Sequence, residues 1–218
     1  MTTPLDLDPF VRQRESMVET KLRARGILDG RVLGAMARVP RHEFAPERYR
    51  DQAYEDHPLP IAENQTISQP YIVAIMLQAI AIAPGDRVLE VGTGSGYVTA
   101  LLAELAAEVI SIERHQPLSS SARVLLQRMR YQNVRLITGD GSRGFAEAGP
   151  YNAILVSAAA PQLPWALVQQ LAEGGRMIIP VGRNDSQQLQ FIEMRNGEAR
   201  VTPRELCRFV PLVAEDGR

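Results

Sequence analysis

Apolar residues recur along this chain at two periods, and the change of period marks out its elements. Between Phe10 and Ile27, Val11, Met17, Val18, Leu22 and Ala24 suit one side of a helix that ends near Gly26. Asp29 can cap a second, short helix carrying Val32, Leu33, Met36 and Val39, which Pro40 stops. Phe44 and Tyr49 should fold this N-terminal piece onto the rest. Pro58 and Pro60 oppose regular helix, so Tyr54 to Pro60 is predicted irregular, and IAENQTISQP after it reads as a polar loop. A helix from Pro70 to about Ile82 follows, with proline well placed in its first turn.

From Arg87 onward the pattern alternates. Val88–Val91, Val109–Ile112, Val134–Thr138, Asn152–Val156 and Arg176–Val181 read as strands. Between them, Ala100 to Leu105, Pro117 to Tyr131 and Pro164 to Leu171 read as helices, the last terminated by Gly174–Gly175. Gln187–Met194 and Arg200–Val210 flank Asn196–Gly197, the pattern of an antiparallel hairpin on a sheet edge. The expected class is therefore α/β, a doubly wound and mostly parallel sheet with N-terminal helices, binding ligands at the carboxyl ends of its strands.

With 218 residues, 45% hydrophobic and 22% charged, the chain fits one domain spanning 1–218. Within it, 1–60 is a helical region, 61–182 the core, and 183–218 the hairpin and a substrate-side tail. A net charge of −1 provides no global field for nucleic acid or anionic membrane. The arginines from Arg12 to Arg50 alternate with acids and read as a solvated helical surface. Cys207 is the only cysteine, which excludes an internal disulfide and points to a reducing compartment. MTTPLDLDPF lacks a signal core, and no window reaches about 18 apolar residues. A cytoplasmic monomer without membrane or nucleic-acid partners is expected. His42, His57 and His115 show no ligand spacing, so no metal is expected.

The chemistry centres on RVLEVGTGSGYVTALLAELAAEVISIE, residues 87–113. Gly92, Gly94 and Gly96 follow a buried strand at spacing two, with Thr93, Ser95 and Tyr97 among them. A dinucleotide fingerprint, G-x-G-x-x-G, would place its third glycine at Tyr97. Here it falls one residue early. The E-x-G-x-G-x-G form beginning at Glu90 is the one S-adenosylmethionine enzymes carry; a dinucleotide site and a purely structural tight turn are the alternatives. Glu113, about 20 residues past the first glycine, stands where a ribose-binding carboxylate belongs; a solvated acid at a strand end is the alternative. Trp165 and Tyr97 are expected to pack against neighbouring elements.

Five segments, ENQTISQPYIVA (63–74), VLEVGTGSGY (88–97), GDG (139–141), YNAILVSAAAPQLPWALVQQLAEGGRMIIPVG (151–182) and RFVPL (208–212), together resemble the protein-L-isoaspartate O-methyltransferase family. The resemblance runs in order from about Ile27 to Leu212. Many methyltransferases share the glycine motif, whereas the TIS-Q-P loop, the SAAAP turn and the RFVPL tail are particular to this family. It implies a class I methyltransferase fold, S-adenosyl-L-methionine as methyl donor, and isoaspartyl proteins and peptides as acceptors. Such an acceptor carboxylate, with a pKa near ~4, is already ionised at neutral pH and needs no general base.

By the same resemblance, Ser68, with Thr66 beside it, occupies the catalytic position, orienting one carboxylate oxygen by a hydrogen bond. Ser68 could instead only cap the next helix. A nucleophilic serine is not implied, since no G-x-S-x-G surrounds it. Asp140 and Gly141 are placed beside adenine, with a plain turn as the alternative. Glu90 faces the polar end of the cofactor or a water, Asn64 and Gln65 cover it, and Val210, Pro211 and Leu212 form the peptide-binding tail. Two departures stand out. Ala62, Glu63 and Asn64 replace a glycine-containing loop, so a positive φ at Ala62 or Glu63 would carry strain, whereas Asn64 tolerates it better. Ser142–Arg143 stand where a bulky aromatic is frequent. Methylation of a small molecule or RNA is the alternative activity, disfavoured because SAAAP lacks D-P-P-[YF]; a non-catalytic cofactor sensor is the other reading.

Overall fold

The computed structural model describes residues 9–183 and 186–213. Helix α1 (Pro9–Ser16) continues through a wider π-helical stretch, Met17–Leu22, and a 3-10 turn, Arg23–Arg25, into left-handed Gly26. The helix ends where the pattern placed its end, but it is not uniform. The Asp29 side chain accepts from the Arg31 and Val32 amides and starts α2 (Gly30–Arg38), which buries Val32, Leu33, Ala35 and Met36. A single turn, α3 (Arg41–Phe44), follows. The segments expected to be irregular pair with each other: β1 (Leu59–Pro60) lies antiparallel to β2 (Thr66–Ile67), with Leu59 opposite Ile67. Both of those apolar side chains are buried, which pins the intervening polar turn to the surface.

Helix α4 (Pro70–Ile80) begins on its proline and stops at Ala81, which sits exposed at φ 42° and ψ 58°. A Cβ in this left-handed conformation costs about 1–2 kcal/mol. Glycine removes that cost while adding about 0.4–1 kcal/mol of chain entropy to the unfolded state. The Ala81 carbonyl, which accepts from Arg176 at 2.9 Å, is unaffected. Ala81→Gly is therefore expected to stabilise the fold by about 0.5–1 kcal/mol. Thermal unfolding should register this as a rise of about 1–4 °C.

The main sheet is built from β3 (Arg87–Val91), β4 (Glu108–Glu113), β5 (Val134–Thr138), β6 (Tyr151–Val156), β7 (Leu171–Arg183), β8 (Ser186–Arg195) and β9 (Glu198–Cys207), joined in the order β5-β4-β3-β6-β7-β8-β9. The first five in that order are parallel; β8 and β9 are antiparallel additions. Helices α5 (Tyr97–Leu105) and α6 (Gln116–Arg128) connect β3 to β4 and β4 to β5. The chain moves outward from β3 to β5 and then returns to β6 on the other side of β3. Connections thus diverge at the carboxyl ends of β3 and β6, the position where open α/β sheets leave a crevice. Val88, Leu89, Glu90 and Val91 are all buried, so β3 is enclosed on both faces in place of alternating burial.

The expected helix over 164–171 is corrected. Only Trp165–Val168 is helical (α7), and Leu171 already pairs with Tyr151 as part of β7. Gly174–Gly175 does not stop a helix but lies inside the strand, where the register with β6 shifts between Tyr151 and Ala153. A side chain at Gly175 would lie 2.7 Å from the Ala172 carbonyl and 2.9 Å from that of Tyr151, so the bulge requires glycine there. Trp165 is 58% exposed and does not pack inside as expected. At the hairpin tip, Asn196 (φ 54°) and Gly197 (φ 74°) are both left-handed, the combination a two-residue turn between twisted strands needs. The hairpin's second strand ends at Cys207 rather than Val210, and the chain then turns back towards the sheet's carboxyl edge. No helix among the described residues is long and apolar enough to cross a membrane.

Candidate active site

A cleft of about 880 Å³, counting its mouth, opens above the carboxyl ends of β3, β4 and β6. Its floor is the turn from Gly92 to Tyr97. Gly94 holds φ 55° and donates its amide to Glu113 Oε2 at 2.8 Å, while Glu113 Oε1 accepts from the His115 amide at 2.8 Å. Glu113 is 5% exposed, so two backbone donors fix a nearly buried carboxylate against the cleft. Each of its oxygens keeps a further lone pair for a ligand hydroxyl. Gly96 begins α5 at φ 88°; a Cβ there would meet that of Ala122 at 3.2 Å. Its part is to seat α5 on α6, and it is not among the residues that line the cleft.

Tyr97 closes the back of the cleft. It is fully buried, the Arg41 guanidinium lies 4.9 Å from its ring centroid, and Phe44 meets it edge-on at 5.6 Å. Burial pushes its phenol above the ordinary range and draws the Arg41 guanidinium down.

On one side stand Gln65, Thr66, Ile67 and Ser68 from the β2 loop. Gln69, not Ser68, is the N-cap residue of α4; its own side chain makes no capping bond, and the Asp56 carboxylate accepts from the Tyr71 amide at 3.0 Å instead. The β2 loop is held by the Ile61 amide on the Gln65 carbonyl (2.9 Å) and by the Gln65 side chain on the Glu63 carbonyl (3.0 Å). Glu63 (φ 58°) and Asn64 (φ 55°) both adopt the left-handed conformation. The strain considered for Ala62 or Glu63 thus falls on Glu63, whose carboxylate sits 3.6 Å from His115 Nδ1 across the mouth.

On the other side, Val210 to Val213 run along the cleft. The Ala159 amide donates to the Val210 carbonyl and the Leu212 amide to the Ala159 carbonyl, both at 2.8 Å. Arg114 Nη1 donates to the Val213 carbonyl at 3.0 Å, fastening this segment to the end of β4.

Of the residues singled out from sequence, Gln65, Thr66, Ser68, Gly92, Thr93, Gly94, Ser95, Tyr97, Glu113, Gly141, Val210, Pro211 and Leu212 line this one cleft. Asn64, Glu90, Gly96 and Asp140 do not line it. Asp140 Oδ1 accepts from the Ser142 amide at 2.8 Å, fixing the turn that presents Gly141. A Cβ at Gly141 would lie 2.6 Å from Val91 Cγ1, so the chain can pass under the cleft only as glycine. Glu90 points into the protein. It is wholly buried, and its Oε2 accepts from Thr99 Oγ1 (2.5 Å) and Ser111 Oγ (2.6 Å). Burial raises its carboxyl to about 8 despite those two bonds, and the charge of Glu113 adds to the rise. Sequence reasoning missed Arg114, His115, Ser157 and Ala158 as lining residues. Ser157 and Ala158 directly follow β6, beside β3, so the strand-end rule was the available signal.

A doubly wound sheet with a glycine turn after its central strand and an acid ending the next one defines a Rossmann-like methyltransferase of class I. A family model for protein-L-isoaspartate(D-aspartate) O-methyltransferase matches residues 12–217. Protein-L-isoaspartate O-methyltransferase of Koribacter versatilis is 54% identical over 217 residues, covering 100% of this chain and 98% of that one. The protein of the same name from Methanoculleus marisnigri is 49% identical over 213 residues, 98% of this chain and 97% of its own. Among solved structures, a protein-L-isoaspartate O-methyltransferase from Plasmodium falciparum in complex with S-adenosyl-L-homocysteine is similar with a TM-score of 0.80 and 30% identity, covering 91% of this chain and 97% of that one. The chain belongs to the protein-L-isoaspartate(D-aspartate) O-methyltransferase family.

Proposed function

We propose that this chain transfers a methyl group from S-adenosyl-L-methionine to the free carboxylate of isoaspartyl residues in damaged proteins. The observation that carries the reading is one cleft bounded by three elements: the glycine turn with Glu113, the Thr66–Ser68 loop, and the Val210–Leu212 strand. The residues fit the donor. Gly92 and Gly94 let a ligand approach the backbone, and the fixed Glu113 carboxylate can accept from ribose hydroxyls. When bound, the donor supplies an activated sulfonium methyl group, so the protein has no bond-making group of its own to provide.

What the chain's residues contribute is placement. The Ser68 hydroxyl donates to one oxygen of the acceptor carboxylate and leaves the other directed at the methyl group. Thr66 stands beside it. Glu63, Gln65 and the Val210–Val213 strand narrow the mouth, and proximity accounts for most of the acceleration. Val210 and Leu212 already pair with Ala159. Pro211 has no amide, so the outward edge of this strand offers an extended acceptor a carbonyl but no donor. The same reading takes the protein to act as a cytoplasmic monomer.

The test is incubation with an isoaspartyl peptide, its aspartyl twin and methyl-labelled donor. Base-labile label on the isoaspartyl peptide alone is the expected result. Equal label on both overturns the specificity, and donor binding with no transfer to either overturns the enzymatic reading.

A further inference from the structure

Glu90 is the acid of the glycine motif, yet it does not line the cleft. With the Glu90 proton on Oε1, its surroundings define a chain of hydroxyls that runs in one direction. Ser111 has a single hydrogen and gives it to Glu90 Oε2, at 2.6 Å. The 2.5 Å bond between Ser111 and Thr93 must then be donated by Thr93. Thr99 gives its own hydrogen to the same Oε2, at 2.5 Å. Glu90, Thr99 and Ser111 are wholly buried and Thr93 is 3% exposed, so no bulk water competes for these bonds. Among the described residues, Glu90 Oε1 has no hydrogen-bond partner. The chain of bonds joins β3, β4 and α5 to Thr93, which sits between Gly92 and Gly94.

We propose that Glu90 is a positioning residue for the donor pocket: through Ser111 and Thr93 it holds the glycine turn in the shape that sets the Gly94 amide against Glu113. This rests on the donor reading above and assigns that site a determinant that touches no ligand. One acceptor oxygen takes two hydroxyl hydrogens, and the third hydroxyl is oriented as a consequence. Glutamine can supply the same acceptor oxygen. Leucine, of similar size, cannot, and would leave Ser111 and Thr99 as buried donors without an acceptor, a costly arrangement. Alanine at Ser111 removes both of its bonds, to Glu90 and to Thr93, and keeps the bond between Thr99 and Glu90.

The acid also leaves a trace in stability. The groups facing it are the hydroxyls of Thr99 on α5 and Ser111 on β4, and the charge of Glu113 at the end of β4. With its carboxyl raised from the ordinary 4.5 to about 8, the folded state holds a proton that the unfolded state releases. Its contribution is full below about 4.5 and is lost as pH rises to about 8. Glu90→Gln removes this slope. Its melting temperature relative to the wild type should climb between pH 5 and pH 8.

The deciding experiment is calorimetric binding of S-adenosyl-L-homocysteine to the wild type, Glu90→Gln, Glu90→Leu and Ser111→Ala, with thermal unfolding of each. Expected are Kd values within about threefold of wild type for Glu90→Gln, and a loss of about tenfold or more for Glu90→Leu and Ser111→Ala. In Ser111→Ala, turnover at saturating donor should stay within about threefold, placing the loss in binding. If Glu90→Leu fails to fold, Ser111→Ala still decides. Wild-type Kd in a folded Ser111→Ala overturns the proposal, as does a Glu90→Gln as weak as Glu90→Leu. A wild-type protein that does not bind this probe overturns the donor reading itself.

Discussion

Ser68→Ala is expected to lower turnover by about 10- to 100-fold while leaving the Kd for S-adenosyl-L-homocysteine within about threefold. Ser68 lines the cleft beside Thr66, and it does not cap the helix that follows, whose N-cap residue is Gln69. A hydrogen bond to a charged carboxylate contributes about 1.5–3 kcal/mol, which sets the range. Because that bond orients the acceptor and not the donor, its loss should fall on turnover and on the acceptor's KM. Single-turnover methylation of an isoaspartyl peptide, paired with calorimetry, separates the two. Turnover at the wild-type rate would remove Ser68 from the mechanism.

Glu113→Ala is expected to do the reverse, weakening donor affinity by about 100-fold or more. Two effects act together. The ribose hydroxyls lose a charged acceptor, and the Gly94 and His115 amides, now 2.8 Å from its two oxygens, lose the partner that fixes them. The substitution therefore removes a ligand contact and loosens the turn that frames it. Glu113→Gln, which keeps one acceptor oxygen, should fall between alanine and wild type. The measurement is calorimetric Kd, with thermal unfolding to confirm that the variants are folded. Affinity unchanged in Glu113→Ala would place the ribose elsewhere.

The parts of this architecture that could be read from the chain are those decided locally. Asp29 caps α2 because its side chain reaches amides two and three residues on, and Asn196–Gly197 turns the hairpin because both tolerate positive φ. The parts that could not be read depend on a distant partner. Gly174–Gly175 looks like a helix stop, but the shape of the bulge comes from Tyr151 on the neighbouring strand. Glu90 and Glu113 are both acids near strand ends. Only the register, which sets Glu90 opposite Ser111, shows that one is enclosed by hydroxyls while the other borders the cleft. Glu113 was marked by motif spacing, and Ser68 and the Val210–Leu212 segment by the family resemblance; all of them line the cleft. Arg114 was not marked, because nothing in its own chemistry distinguishes it from an ordinary loop residue, and Ser157 was marked only by its place at the end of β6.

The strand from Val210 to Val213 leaves the ribosome after every other residue that lines the cleft. A nascent chain can already form the glycine turn and bury β3 while this last wall is still in the exit tunnel. Until Ala159 and Arg114 receive it, the cleft stays open along one side. Competence for methyl transfer should therefore arrive late, once residues 210–213 have emerged and docked.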